Sequence, residues 1–176
     1  MSDNTQEKSP ALTTLSEDEE LFRSMVREFA EEQVKPQVMD MDRAAKIPRE
    51  LLDQLFSLGV MGIEVPVEYG GAGSSFFMAI LAIEEMARVD PSVAVCIDVQ
   101  NTLVINAFRR WLAPDQQAKF LPRLATDTIG GYSLSESGSG SDAFALKTQA
   151  RLDGDTYVLN GQKTWVTNGD DAGLYM

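Results

Sequence analysis

The sequence contains no histidine and a single cysteine, Cys96. Without histidine the chain cannot form a Ser-His-Asp triad, use imidazole for acid–base catalysis or supply the commonest transition-metal ligand. One cysteine forms no disulfide within the chain and no zinc cluster. We therefore expect no metal site. Any chemistry must use carboxylates, hydroxyl groups, backbone N–H groups or a bound cofactor.

Basic residues and long apolar runs are also scarce. The 176 residues carry 15 Lys and Arg against 27 Asp and Glu, a net charge of −12. A nucleic-acid partner is not expected, because binding phosphates requires clustered Lys and Arg. No run reaches the roughly 20 apolar residues that a membrane-spanning helix needs. Residues 1–14 resemble neither a signal nor a transit peptide, so the sequence predicts a cytoplasmic protein with a disordered tail there.

Apolar residues recur at three- and four-residue steps through residues 15–128, which predicts an all-helical domain. Ser16 and Glu19 have the spacing of a capping box at the start of the first helix. Gly59 follows an apolar helical pattern and is placed to end a second helix. These residues indicate where the first two helices begin or end.

A further helix is predicted to open at Pro91 and is apolar on nearly all sides, which indicates burial. Asp98 and Gln100 are polar residues within it. Buried polar groups must find hydrogen-bond partners. The two residues therefore either satisfy partners inside the protein, which we favour, or line a cavity.

Residues 129–176 predict strands instead of helices. Apolar and polar residues alternate from Leu146 to Leu152. Asp153-Gly154 and Asn160-Gly161 are both typical of tight hairpin turns, and Trp165–Thr167 favours a further strand. We therefore predict an α+β chain, in which an all-helical N-terminal domain is followed by the start of an antiparallel β domain at 129–176.

A loop rich in serine and glycine stands at the boundary between the two parts: Tyr132–Asp142, with the sequence Tyr-Ser-Leu-Ser-Glu-Ser-Gly-Ser-Gly-Ser-Asp. Gly138, Gly140 and Ala143 match the dinucleotide fingerprint G-x-G-x-x-A only weakly, because that fingerprint opens a helix and a hairpin pattern follows here. Backbone N–H groups and serine hydroxyls that bind anionic or carbonyl oxygens are the better interpretation. Turn capping by the serines is the alternative.

This serine loop and a later motif, Asn160-Gly161-x-Lys163-x-Trp165-Val166-Thr167, together resemble the acyl-CoA dehydrogenases. Earlier stretches agree, such as Glu68-Tyr69-Gly70-Gly71. The stretches Ser141–Thr148 and Val99–Leu103 are most similar to the short/branched-chain members. The resemblance covers roughly residues 15–176 and corresponds to the N-terminal half of the family's chain.

The resemblance implies an FAD enzyme with a helical N-terminal domain, a middle β domain and a C-terminal four-helix domain, usually a homotetramer. It implies α,β-dehydrogenation of short or branched acyl-CoA thioesters: a carboxylate takes the α-proton, FAD takes the β-hydride, and an electron-transfer flavoprotein accepts the electrons. In the family the base is a glutamate of the C-terminal domain. No residue of this sequence matches it. We therefore expect a chain that is truncated before the catalytic glutamate and is inactive alone.

The resemblance also implies which residues contact FAD and substrate. The cofactor-binding residues lie in the two motif segments: Tyr132, Leu134, Ser135, Gly140, Ser141, Trp165, Val166 and Thr167. By resemblance, Leu134 and Ser135 meet the pyrimidine edge of the isoalloxazine. In the same way, Trp165 packs beside the ring and Thr167 lies near flavin N5. The substrate-binding candidates are Ser141, Asp98 and Gln100.

Two other interpretations stay open. The same fold with different chemistry would be an acyl-CoA oxidase, a nitroalkane oxidase or a flavin-dependent monooxygenase, and reactivity of the reduced flavin with O₂ would distinguish these from a dehydrogenase. A non-catalytic fragment or subunit that pairs with a separate chain is the second alternative. A stand-alone module of that kind would be soluble, cooperatively folded and free of flavin.

Overall fold

The computed structural model describes residues 14–176. The predicted disordered tail, residues 1–14, lies outside this range except for its last residue. The described helices, in chain order, are α1 (Glu17–Phe29), α2 (Val38–Ala44), α3 (Arg49–Leu58), α4 (Phe76–Ala87), α5 (Pro91–Asp98), α6 (Asn106–Trp111) and α7 (Pro114–Thr126). Short 3₁₀ turns occur at Lys35–Gln37 and Val67–Tyr69, and π-helical segments at Ala30–Val34 and Val99–Ile105. None of these helices is long and apolar enough to cross a lipid bilayer.

The helix ends predicted for α1 and α3 are confirmed. The Ser16 N–H donates to the Glu19 carboxylate (2.8 Å), and the Glu19 N–H donates to the Ser16 hydroxyl (3.2 Å). Two of the N–H groups that a helix start leaves unpaired are thereby satisfied. Gly59 ends α3 with φ of 83°, a left-handed conformation that glycine adopts without a steric penalty.

Two groups of apolar side chains form the interior of the helical part. The larger group joins α1, α3, α4 and α5, with Leu51, Leu55 and Met86 among its fully buried members. The smaller group packs α6 against α7, where the rings of Phe108 and Phe120 meet edge to face at 5.8 Å. Helix α5, the second π-helical segment (Val99–Ile105) and α6 follow one another without a break from 91 to 111, so this stretch contributes to both groups. Below, "the π-helical segment" means Val99–Ile105.

A bidentate ion pair joins helix α1 to α4. The Arg27 guanidinium donates to both oxygens of the Glu85 carboxylate, Nε to Oε2 at 2.8 Å and Nη2 to Oε1 at 2.6 Å. The Glu85 side chain is 3% exposed. The hydrogen bond from Arg27 outweighs the effect of burial and lowers the pKa of Glu85. A charge buried at this depth is tolerated because both carboxylate oxygens have partners.

Residues beyond α7 form two small pairs of strands: β1 (Gly130–Gly131) with β4 (Leu174–Tyr175), and β2 (Gln149–Asp153) with β3 (Thr156–Asn160). The second pair is antiparallel and turns at Gly154, whose φ is 64°. The Asp153-Gly154 hairpin prediction is confirmed, and so is the α+β class. The first pair is parallel and joins Gly130 to Leu174, which differs from the purely antiparallel arrangement that we predicted.

The second predicted hairpin, at Asn160-Gly161, does not form. Residues 161–166 belong to no strand. Gly161 instead lies against Thr148, where an added Cβ would meet the Thr148 hydroxyl oxygen at 2.1 Å. The glycine is therefore needed for a close approach of two chain segments. Trp165 has φ of 57°, and this left-handed conformation is incompatible with the strand predicted at 165–167.

Strand β1 lies directly on the helical part, against the π-helical segment. A Cβ on Gly130 would meet Val104 Cγ1 at 2.6 Å. The side chain of Gln100 fixes this contact, since its amide nitrogen donates to the carbonyl oxygens of Leu124 (2.7 Å) and Thr128 (3.0 Å). Its amide oxygen accepts from the N–H of Gly130 at 2.7 Å. Gln100 is completely buried, so one side chain joins α7, the following loop and β1.

We expect Gln100→Leu to lower the free energy of unfolding by about 3 kcal/mol, because buried backbone groups lose their partners. The control is Gln54→Leu in α3, where the side chain is exposed and the change should be within about 0.5 kcal/mol. Urea denaturation measures both. Equal midpoints for the two variants would show that the buried amide does not hold the junction.

Candidate functional site

The serine loop and the later motif around Trp165 lie side by side. The Thr164 N–H donates to the Ser135 carbonyl oxygen at 2.9 Å. One residue earlier, the Lys163 ammonium donates to the Leu134 carbonyl oxygen at 3.1 Å. The serine loop and the segment Lys163–Asn168, called here the tryptophan segment, therefore form one edge of the molecule.

An ion pair clamps this edge. The Glu136 carboxylate accepts from the Lys163 ammonium (2.8 Å) and from the N–H groups of Lys147 (2.7 Å) and Thr148 (3.0 Å). The side chains of Glu136 and Lys163 are 7% and 24% exposed. The hydrogen bond from Lys163, with those from Thr148 and Lys147, lowers the pKa of Glu136 to about 2. Such a carboxylate is a poor proton acceptor near neutral pH, so its role here is to hold the two segments together.

The glycines and serines of the loop divide into two kinds. Glu136 and Ser139 exchange backbone hydrogen bonds of 2.9 and 3.1 Å, which close a tight turn. The Ser139 hydroxyl is buried and donates to the Asp142 carbonyl oxygen at 2.7 Å. Gly140 and Ser141, in contrast, are exposed. Turn capping, the alternative considered for the serines, therefore applies to Ser139, whereas Ser141 is free to meet a ligand.

The tryptophan segment presents an unpacked ring beside this loop. Trp165 is 94% exposed. The N–H groups of Ser135, Ser141 and Thr167 donate to no group within residues 14–176. The hydroxyl of Thr164 is buried with no hydrogen-bond partner in the same part of the chain. An exposed aromatic side chain and unused donors on two adjoining segments suit a flat ligand that carries carbonyl oxygens at its rim.

Two family models match the chain: "Acyl-CoA dehydrogenase, N-terminal domain" over residues 16–128 and "Acyl-CoA dehydrogenase, middle domain" over residues 131–176. The chain belongs to the acyl-CoA dehydrogenase family. The resemblance noted from the motifs is thereby confirmed, and relatives named as short/branched chain enzymes confirm the closer similarity.

Individual relatives agree with the family assignment. The chain is 49% identical over 166 residues to the probable short/branched chain specific acyl-CoA dehydrogenase of Dictyostelium discoideum, covering 94% of this chain and 40% of that protein. It is 44% identical to the mitochondrial short/branched chain specific enzyme of Bos taurus, with coverages of 94% and 38%. Its fold matches a glutaryl-CoA dehydrogenase from Mycobacterium smegmatis in complex with FADH2 with a TM-score of 0.86 and 34% identity, covering 92% of this chain and 42% of that one. The chain spans about two fifths of the length of these relatives.

Most of the residues predicted to bind FAD in this acyl-CoA dehydrogenase segment lie on the clamped edge. Leu134 and Ser135 are joined through their carbonyl oxygens to the start of the tryptophan segment, which carries Trp165 to Thr167. Tyr132 is half-buried and, with Asn106, lines a separate recess of about 180 Å³ beside α6. The contacts of all of these residues with FAD remain predictions.

The two substrate candidates in the helical part have different surroundings. Asp98 is half-buried, and its carboxylate accepts from the Thr102 hydroxyl at 2.7 Å. Gln100 has both amide groups engaged inside the protein. The structural role that we favoured for Gln100 is what the hydrogen bonds support. Substrate contacts of Asp98, Gln100 and Ser141 stay predictions.

Three residues of this site received no role from the sequence: Glu136, Lys163 and Asn168. An acid in one motif segment and a lysine in the other could have suggested their pairing. Asn168 has φ of 63°, and asparagine is among the few residues that tolerate this conformation. Its position directly after Thr167 was the available signal.

A recess with a volume of about 850 Å³ lies elsewhere. It is enclosed by α2, the start of α5 and the turn that follows Asn168. Asp42, Asp90 and Asp171 line it, with Lys46 as a basic member. None of the residues predicted to bind FAD lines it, so volume alone is not what marks the candidate site.

We expect Glu136→Gln to lower the thermal midpoint at neutral pH by releasing Lys163. Because the pKa of Glu136 is depressed when folded, its stabilising contribution is complete above the ordinary glutamate pKa of about 4.3. It is lost as the pH falls towards about 2. The midpoints of the wild type and the variant should therefore converge on acidification.

Glu68→Gln serves as the matched control, because Glu68 is exposed. Thermal unfolding followed by circular dichroism across this pH range measures all three proteins. A gap between wild type and Glu136→Gln that stays constant down to the lowest pH would contradict the clamp.

Proposed function

We propose that this chain belongs to an FAD-dependent acyl-CoA dehydrogenase for short or branched acyl-CoA thioesters. It supplies the helical part at residues 15–128, called here the helical wall, and the edge that faces the flavin. The observation that carries the proposal is the single edge formed by the serine loop and the tryptophan segment and clamped by Glu136 and Lys163. The complex of the Mycobacterium smegmatis relative with FADH2 supports the cofactor. The names of the Dictyostelium and bovine relatives support the substrate class.

The residues on this edge fit a flavin. Isoalloxazine has a flat face and carbonyl oxygens at its pyrimidine rim. Trp165 offers an exposed aromatic face, and the N–H of Ser135 is not used within the described residues. Bound FAD supplies the hydride acceptor. Fixed N–H donors at the pyrimidine rim stabilise the negative charge that develops there on reduction.

The proton chemistry is not assigned to this edge. Glu136 is bonded to three donors and has a pKa of about 2. A general base needs a free oxygen within reach of the substrate proton and a pKa near the working pH. By family resemblance, we propose that the base is a glutamate of the C-terminal domain that follows this segment in the relatives.

The remaining parts of the proposal rest on the family. They comprise electron transfer to an electron-transfer flavoprotein, a homotetrameric assembly, and the division into a helical domain at 15–128 and a β domain at 129–176. A cytoplasmic location belongs to the same proposal, while the bovine relative is named a mitochondrial protein.

Because the chain is expected to be inactive alone, the decisive test adds acyl-CoA, in the absence of oxygen, to this chain joined to the C-terminal domain that supplies the base in the family. We expect the visible absorbance of bound flavin to bleach rapidly with short or branched acyl-CoA and little with palmitoyl-CoA. The reduced flavin should then reoxidise slowly on admission of air, since a dehydrogenase passes its electrons to a protein acceptor. Rapid reoxidation would favour the oxidase alternative, and a protein without flavin would refute the proposal.

We also expect Trp165→Ala to weaken FAD binding about tenfold, because the ring loses its aromatic neighbour. Trp111→Ala is the matched control: Trp111 is also exposed, at 77%, but lies at the end of α6. Titration of the apoprotein with FAD measures both affinities. Equal losses in the two variants would place the flavin elsewhere.

A further inference from the structure

The peptide of Gly130 is held from two sides by side chains. Its N–H donates to the amide oxygen of Gln100 at 2.7 Å. Its carbonyl oxygen accepts from the amide nitrogen of Asn168 at 3.3 Å. One side chain comes from the π-helical segment of the helical wall and the other from the end of the tryptophan segment. A continuous chain of hydrogen bonds therefore links the two.

The Gln100 end of this chain is held by hydrogen bonds inside the protein. Gln100 is completely buried, and its amide nitrogen is bonded to the carbonyl oxygens of Leu124 and Thr128. Strand β1 is also pressed against Val104, with no room for a Cβ at Gly130. The Gly130 carbonyl oxygen is thus a fixed point on the helical part.

At the other end of the chain of hydrogen bonds, Asn168 lies in a turn. The Asn168 carbonyl oxygen accepts from the N–H groups of Asp171 (3.1 Å) and Ala172 (2.8 Å), and the Gly169 N–H donates to the Val166 carbonyl oxygen at 3.0 Å. Asn168 lies in the left-handed region with φ of 63°. Holding the Asn168 side chain in place therefore also holds the backbone of Val166 and Thr167 in place.

Trp165 depends on this backbone for its orientation. Its ring is 94% exposed and has almost no packing within the chain. The segment is held before the ring by the hydrogen bond from Thr164 to Ser135. After the ring, the Asn168 side chain makes the first hydrogen bond to β1. The next link, from the Gly173 N–H to the Ile129 carbonyl oxygen at 2.9 Å, follows five residues later. Without the Asn168 side chain, the stretch after Thr164 would run to Gly173 before it is tied to the residues around β1 again.

We propose that Asn168 is a positioning residue, which sets the place of Trp165 and Thr167 relative to the helical wall through the Gly130 peptide and Gln100. The inference rests on the proposed function in so far as the positioned groups serve a flavin. The juxtaposition itself, Gln100–Gly130–Asn168, is independent of any cofactor. It ties the π-helical segment Val99–Ile105 and the tryptophan segment to one peptide.

The test follows Trp165 directly, by fluorine NMR of protein labelled with fluorinated tryptophan, with the Trp165 signal assigned by Trp165→Phe. Asn168→Gly keeps the left-handed backbone accessible and removes the side chain. We expect its Trp165 resonance to sharpen, because the ring gains motion when the backbone is released, while the Trp111 resonance stays in place. FAD affinity should fall about threefold to tenfold, as expected for loss of one hydrogen bond, with a changed flavin spectrum.

A second variant and a control keep the test decisive. Asn168→Asp preserves size and the left-handed preference but has no donor for the Gly130 carbonyl oxygen, so it should disturb Trp165 at least as much. Asn160→Ala, at the exposed end of β3, should leave Trp165 and the flavin unchanged. An unaltered Trp165 resonance in both Asn168 variants would overturn the inference, whatever happened to FAD binding. If the protein bound no flavin, the fluorine spectra would still decide this point, and only the proposed function would fail.

Discussion

Strand β1 is two residues long, yet the chain beyond α7 is positioned through it. On one side it lies against the π-helical segment with no space for a Cβ at Gly130, and Gln100 holds its N–H. On the other side it pairs with β4, and its Gly130 carbonyl oxygen accepts a hydrogen bond from the Asn168 side chain. A junction of this kind tolerates little change, because close packing and hydrogen bonding constrain the same few atoms. The position of the candidate site follows from it.

The Glu136–Lys163 ion pair stabilises a different region, the start of the β2–β3 hairpin. Strands β2 and β3 are exposed along their whole length, so the hairpin buries little apolar surface. Elements of this kind belong to the least stable part of a fold. Glu136 bonds Lys163 and also the N–H groups of Lys147 and Thr148, directly ahead of β2. One carboxylate thereby holds the serine loop, the tryptophan segment and the start of the hairpin together.

The features that the sequence predicted well are local ones. The capping box at Ser16, the helix end at Gly59 and the turn at Gly154 each depend on residues within one turn of the chain. The Asn160-Gly161 signal was misleading because that glycine is needed for a contact with Thr148, thirteen positions earlier in the chain. The left-handed conformation of Trp165 was unpredictable for the same reason: for an aromatic residue it persists only where tertiary contacts impose it.

In the candidate site, too, local features were predictable from the sequence and tertiary contacts were not. Its residue types were readable from the motifs, and the adjacency of the two segments was expected, but the groups that create this adjacency were not. Trp165 is almost fully exposed, so its packing within the chain contributes little to its position. Binding is strengthened when groups are held in place beforehand, since less conformational freedom is lost on association. An exposed ring on a backbone fixed at Thr164 and Asn168 meets that condition, whereas the same ring on a free loop would not.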